Sequence, residues 1–241
     1  MLLELEGFIL NETPYGETSK IINVLTKEKG LIGIMCKGAK SMKSTLRAST
    51  QVFTYGVFNL YYKEGKLSTL SSVDIINPLK NTRGDLTKIS YVTYLSELTS
   101  QVYKESPSSS IYENFIDIVL KIEEGLDPII LTNILELKYL PLLGVGLNLD
   151  SCIKCGDTKE IVTIDASYGG LICKHCYTNE LIVDPKVIKL IRMYYYVDIK
   201  SIKTISVEDK YKDIINHFIR DYYDSFTGIY VHSKKFLESL L

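Results

Sequence analysis

Apolar positions in the first 80 residues fall into short runs rather than at helical spacing. Runs at 3–10, 20–26, 31–36, 52–62 and 67–76 are rich in β-prone residues, and turn-forming pieces separate them. Lys63-Glu64-Gly65-Lys66 reads as a hairpin connection between the last two. In the fourth run Val52, Thr54, Gly56, Phe58 and Leu60 alternate with Phe53, Tyr55, Val57, Asn59 and Tyr61. The second set is richer in aromatics than a solvated face needs. After Asn77-Pro78 the period lengthens, and Leu86, Ile89, Val92, Leu95, Leu98 and Val102 recur at helical spacing. Residues 106–109 form a loop, and Ser110 with Glu113 has the pattern of a capping box. Tyr112, Phe115, Ile116 and Val119 follow on one face. Asp127-Pro128 and Asp184-Pro185 are helix-start signals, and Pro141 ends the helix before it. Further stripes are Val187, Ile188, Ile191, Tyr194 and Tyr195, then Tyr211, Ile214, Ile215, Phe218, Ile219 and Tyr222. The tail, with Phe236, Leu237, Leu240 and Leu241, reads as a short amphipathic helix.

These elements predict an α+β multidomain protein. Residues 1–80 form a five-stranded OB-like β-barrel, with an SH3-like barrel as the competing arrangement. Residues 81–241 form a helical C-terminal domain. Within it, 148–183 breaks the helical pattern. It holds four of the five cysteines, Gly169-Gly170 and two β-prone runs, and is expected to be an inserted zinc-ribbon-like module.

Cys152-Ile153-Lys154-Cys155 and Cys173-Lys174-His175-Cys176 are two C-x-x-C pairs separated by residues 156–172. That spacing is the pattern of a four-cysteine zinc site. Each C-x-x-C turn aims two thiolates at one tetrahedral ion, and Gly156 suits the tight turn. An iron–sulfur cluster is the alternative for four thiolates, and His175 could replace Cys176 as a ligand. Two separate redox motifs would need a thioredoxin-like βαβ context that the pattern lacks. Four thiolates leave no open position, so one structural Zn2+ is expected. Cys36 stands alone on a strand and reads as a small buried residue.

Composition adds constraints. The 241 residues carry 28 Lys+Arg against 29 Asp+Glu, a net charge of -1. Overall charge therefore points to no polyanionic partner, and local patches must carry any such case. One patch stands out. Between Gly33 and Thr50 the only charged residues are Lys37, Lys40, Lys43 and Arg47, interleaved with small hydroxyl residues. Such a loop can follow a phosphate backbone. Tyr55, with Phe53, Tyr61 and Tyr62, offers stacking platforms for bases. Phosphate-binding glycine loops, a nucleophile elbow and the H-E-x-x-H motif are absent, so no enzyme is indicated. The start carries two acids and no basic region before an apolar run, unlike a signal peptide. No run reaches the length of a membrane span. A cytoplasmic, nucleoid-associated protein is expected, with no membrane partner.

The order of several short motifs resembles the bacterial DNA repair and recombination protein RecO family. They are Glu6-Gly7-Phe8-Ile9-Leu10, Lys29-Gly30-Leu31, Lys37-Gly38-Ala39-Lys40, Leu46-Arg47-Ala48, Leu143-Gly144-Val145-Gly146, Gly169-Gly170-Leu171-Ile172-Cys173 and His232-Ser233-Lys234-Lys235-Phe236-Leu237. The resemblance runs from end to end. It implies an N-terminal OB-fold, a helical domain and a zinc module. It also implies a non-enzymatic mediator that binds single- and double-stranded DNA and anneals complementary strands. Its partners would be RecR and the C-terminal tail of the single-strand-binding protein SSB, and through them it would help load RecA. The near-neutral charge departs from a strongly basic DNA binder. The other reading of the residues is a protein-interaction adaptor with a structural zinc ribbon and no direct DNA role.

Overall fold

The computed structural model describes residues 1–238. Five strands come first: β1 (Leu2–Tyr15), β2 (Ser19–Thr26), β3 (Gly30–Cys36), then after a short helix α1 (Leu46–Ser49), β4 (Tyr55–Tyr61) and β5 (Ser68–Asn77). They close into a barrel in the order β1-β2-β3-β5-β4, and β4 returns to pair with β1. Every pairing is antiparallel except β3 with β5, which is parallel and joins Ile34 to Ser68 and Met35 to Thr69. That order is the OB-fold arrangement and removes the SH3-like alternative, which strand count could not do. The barrel is filled by Leu5, Ile9, Ile22, Val24, Ile34, Phe58, Leu60 and Leu70.

β1 runs five residues past its expected end. Asn11 to Tyr15 pair with β2 although all five are exposed. A hydrophobic pattern reports only buried faces, so this polar extension left no signal. β4 starts three residues later than expected. Phe53 adopts φ +69, and Thr54 N–H closes a turn on the Gln51 carbonyl at 3.2 Å. Gly30 opens β3 at φ +62, where an added Cβ would lie 1.7 Å from the Tyr103 hydroxyl. Only glycine fits that approach.

The helices are α2 (Lys80–Arg83), α3 (Leu86–Glu105), α4 (Ser109–Glu124) and α5 (Pro128–Tyr139). After them come three strands, β6 (Asn148–Cys152), β7 (Ile161–Asp165) and β8 (Gly170–Cys173). α6 (Pro185–Tyr196), α7 (Asp209–Phe226) and α8 (His232–Glu238) follow. No helix among the described residues is long and apolar enough to cross a membrane. The chain forms two compact units. One comprises Met1–Gly125 and the segment beginning at Val231; the other is Leu126–Tyr230.

In the first unit, α3 is capped by Asp85 and α4 by Ser108, whose hydroxyl accepts from Ser110 N–H. The cap therefore lies two residues before the expected Ser110. α4 ends at Gly125, φ +102, as a left-handed terminus requires. α8 is held against α3 by Glu97. One carboxylate oxygen accepts the His232 N–H at 2.8 Å, and the other accepts the Ser233 N–H at 3.0 Å and its hydroxyl at 2.7 Å. Leu240 and Leu241 of the expected tail stripe lie outside the described residues.

In the second unit, α5 and α6 begin where the Asp-Pro signals placed them, and α5 ends before Pro141. Ile130, Ile134, Leu137, Val187, Ile191, Tyr194, Ile215 and Ile219 are buried. Tyr194 is fully buried and Tyr196 is exposed, consistent with helix packing rather than an aromatic site. Asp127 has two duties. Its Oδ1 accepts the Ile129 and Ile130 N–H groups, and its Oδ2 pairs with Lys212 Nζ at 2.9 Å. Asp127→Ala removes both and is expected to lower unfolding free energy by about 1–2 kcal/mol. A urea titration read by circular dichroism checks this, and an unchanged midpoint would refute it.

Candidate functional site

The cysteine module is a small sheet in the order β6-β8-β7, with β6 parallel to β8 and β7 antiparallel to it. Cys152 closes β6 and Cys173 closes β8, so adjacent strands deliver one thiol of each pair side by side. The chain then turns sharply in both places. Gly156 N–H donates to the Cys152 carbonyl at 2.8 Å with φ +79, and Cys176 N–H donates to the Cys173 carbonyl at 3.1 Å. These turns bring Cys155 and Cys176 back to the same point. All four sulfurs lie within 4.8 Å of one another, and Cys155 and Cys173 are 3.6 Å apart. Tetrahedral Zn–S bonds near 2.3 Å place sulfurs about 3.8 Å apart, so the cage has the size of a four-thiolate metal site. The two C-x-x-C pairs thus form one cluster rather than two redox motifs. His175 is not part of it: its ring faces Glu160 at 3.4 Å.

Electrostatics suit a cation. Burial pushes the Cys152 thiol up, but backbone N–H groups of Cys173, Cys155 and Lys154 aimed at its sulfur outweigh this and hold it at about 6. The Cys155 sulfur, with burial second, pushes Cys176 up to about 12. Thiolates crowded this closely need a positive ion to ionise together. A polar strut that the sequence reading missed braces the knuckles. Lys154, inside the first C-x-x-C, reaches Glu180 beyond the second at 2.7 Å, donates to the Cys176 carbonyl at 3.3 Å and lies 4.3 Å from the Tyr168 ring centre. The Lys154 ammonium and the Thr178 N–H hold Glu180 down at about 2. Cys36 belongs to the barrel core and not to the cage. It is fully buried, and burial pushes its thiol up to about 12.

The basic segment joins β3 to β4 across the end of the barrel. Lys37, Lys40, Lys43 and Arg47 are all exposed, and none pairs with an acid among the described residues. Arg47 donates to the sulfur of the exposed Met42 in the same segment. The segment is anchored by the Lys40 N–H on the Thr18 carbonyl at 2.7 Å, the Gly38 N–H on the Ser19 hydroxyl at 3.1 Å and the Phe53 N–H on the Ile9 carbonyl at 3.0 Å. Beside it lies an open cleft of about 550 Å³ whose walls include Lys40, Arg47, Lys20 and Arg83. Two of these cations are already engaged. Lys20 pairs with Glu12 at 2.6 Å. Arg83 donates to the Pro78 and Val52 carbonyls at 2.7 and 2.6 Å. Lys40 and Arg47 remain for an anion. Arg83 joins the cleft from helix α2, which no local pattern near the loop could reveal.

The aromatic face requires a correction. Tyr55 is not a base platform: its ring is buried, and its hydroxyl donates to Glu6 Oε1. Tyr112 of α4 donates to the same oxygen at 2.9 Å. Phe8 meets Phe115 edge-on at 5.1 Å and Phe53 at 6.3 Å. The aromatics that looked surplus on a solvated face are the seat on which α4 packs. Tyr61 stays exposed, and the half-buried Tyr62 ring has Lys29 5.4 Å away. The Tyr55 hydroxyl, aided by that of Tyr112 and by Lys27, holds the Glu6 carboxyl below its usual 4.5 despite burial. A lowered carboxylate contributes stability above its unfolded value, and that stability is lost as pH falls through the lower folded value. Glu6→Gln is therefore expected to cost about 1 kcal/mol at neutral pH, after allowance for solvent screening. The gap from wild type should shrink once pH drops below about 4.5. Urea unfolding of both proteins from pH 3 to 7 measures it; a constant gap contradicts the assignment.

Barrel, helices and cysteine cage together define an OB-barrel protein with a helical region and a four-cysteine module whose geometry could hold a metal ion. Comparison with known proteins gives the family. The model described as Recombination protein O N terminal matches residues 1–79, and that described as Recombination protein O C terminal matches 83–235. The chain is 34% identical to the DNA repair protein RecO of Halalkalibacterium halodurans over 100% of its own length and 96% of the relative's. It is 35% identical to that of Listeria monocytogenes serotype 4a, covering 98% and 93%, and 33% identical to that of Bacillus pumilus, covering 100% and 95%. The chain belongs to the RecO family.

Proposed function

We propose that this chain is a DNA-binding recombination mediator. On this reading it anneals complementary single strands and helps load RecA at SSB-coated gaps in recombinational repair. One observation carries the reading: an OB barrel, in a chain similar over its full length to DNA repair proteins, presents on one anchored segment four exposed cations that have no acid partner among the described residues. Strand annealing is opposed by phosphate repulsion. Lys37, Lys40, Lys43 and Arg47 lower it by neutralising both backbones, while exposed Tyr61 offers a ring for a transient base contact. In this proposal residues 1–80 bind single- and double-stranded DNA. RecR and the SSB tail are its protein partners, and 148–183 form a module organised by one structural Zn2+ on Cys152, Cys155, Cys173 and Cys176. The protein makes and breaks no covalent bonds and works at the nucleoid in the cytoplasm.

Mixing two complementary labelled oligonucleotides with the purified protein, without ATP, at low and moderate salt tests the reading. Fast annealing that slows with salt supports it. No annealing at either salt favours the adaptor reading, to which the net charge of -1 lends weight.

A further inference from the structure

We propose that the cleft between the cysteine module and α7 docks a short basic, apolar segment of a partner protein. The cleft lies wholly within the second unit and has a volume of about 550 Å³. That is the size of a site that takes a side chain or two of a peptide. Ile164 of β7, Val183 and Phe218 of α7 are its apolar lining, and Leu181 stands on it 80% exposed. Leu181 does not sit there by slack. Its carbonyl accepts the Thr163 hydroxyl, and three residues on, Asp184 accepts the Tyr211 hydroxyl at 2.9 Å. A hydrogen bond thus ties the Leu-Ile-Val run at its start and another the residue after it, yet Leu181 and Ile182 face solvent and only Val183 is buried. Held aliphatic side chains beside an open cleft are an anchor surface for another chain.

Charge selects the occupant. Asp165, Asp213 and Asp221 line the cleft with His217, and no Lys or Arg among the described residues does. Arg220 approaches Asp221 at 3.6 Å, which leaves Asp165 and Asp213 without an ion pair among the described residues. Such a rim repels nucleic acid and acidic peptides and attracts lysine or arginine flanking an apolar side chain. It is opposite in sign to the segment between β3 and β4, so the two faces would select different partners.

The test uses the full chain, purified with zinc, and two labelled peptide pools of one pattern. In one, leucine and phenylalanine are separated by lysines; in the other, glutamates replace the lysines. Fluorescence anisotropy should show binding of the basic pool, weakening with salt, and none of the acidic pool. Leu181→Ser and Asp213→Lys should each weaken it about tenfold, without change in melting temperature or strand annealing. The proposal is overturned if the basic pool fails to bind, if both pools bind alike, or if neither substitution matters. It is equally overturned if sedimentation shows a dimer that these substitutions dissociate, since the face would then join two copies. Should a variant fail to fold, hydrogen exchange of wild type decides: protection by the basic pool at 164–167 and 213–221 supports the cleft, and protection elsewhere refutes it.

Discussion

Cys152→Ser is expected to purify with far less than one zinc per chain and to melt well below wild type. The sheet that carries the cage is three short strands, and its parallel β6–β8 contact joins only Asn148 to Gly170 and Cys152 to Leu171. So little pairing cannot hold two chain reversals together. Structural zinc sites release about 10–16 kcal/mol on binding in small domains. Losing one ligand of four should therefore cost several kcal/mol, most of it by unfolding residues 148–183. A chelator should destabilise wild type in the same way and add nothing to the variant. Zinc analysis with calorimetry measures both effects, and full metal content with an unchanged melting temperature would sink the zinc assignment. Brown colour with absorbance near 400 nm in the purified protein would assign an iron–sulfur cluster instead.

The second large effect concerns Lys40→Glu with Arg47→Glu. Four phosphate contacts on a single strand predict a slope of about −3 in log affinity against log salt, or roughly 50-fold weaker binding from 50 to 200 mM. Removing two contacts should halve that slope, and the new negative charges should take annealing below detection at moderate salt. Both side chains are exposed, so the fold should survive. The cysteine cage belongs to the other unit, so zinc content should not move. Annealing at the wild-type rate would show that the strands bind elsewhere.

Much of this was legible in the sequence because the signals were local. Each C-x-x-C fixes two ligands by itself, and two such pairs at that spacing have few other uses. Asp127-Pro128 and Asp184-Pro185 named their helix starts because cap and proline act within one turn. The four cations were visible because the acids stop there. What stayed hidden depends on chain separation. Tyr55 looked like a platform because its partner Glu6 lies 49 residues away, and Tyr112, which shares that carboxylate, lies 106 residues from Glu6. Arg83 could not be tied to the basic cleft before α2 was placed beside the loop. Lys154 carries no signal of its own inside the first C-x-x-C, because its partner Glu180 is 26 residues away.

The grip of Glu97 on His232 and Ser233 has a consequence for how the protein is made. The barrel unit is interrupted at Gly125 and completed only by the segment from Val231. On the ribosome the barrel strands emerge first, yet α8 arrives after the whole second unit. Residues 126–230 can therefore fold while the older unit still lacks its last helix, with the α8-binding side of α3 uncovered. Nascent chains usually finish domain by domain from the N-terminus; here the first unit to start is the last to close.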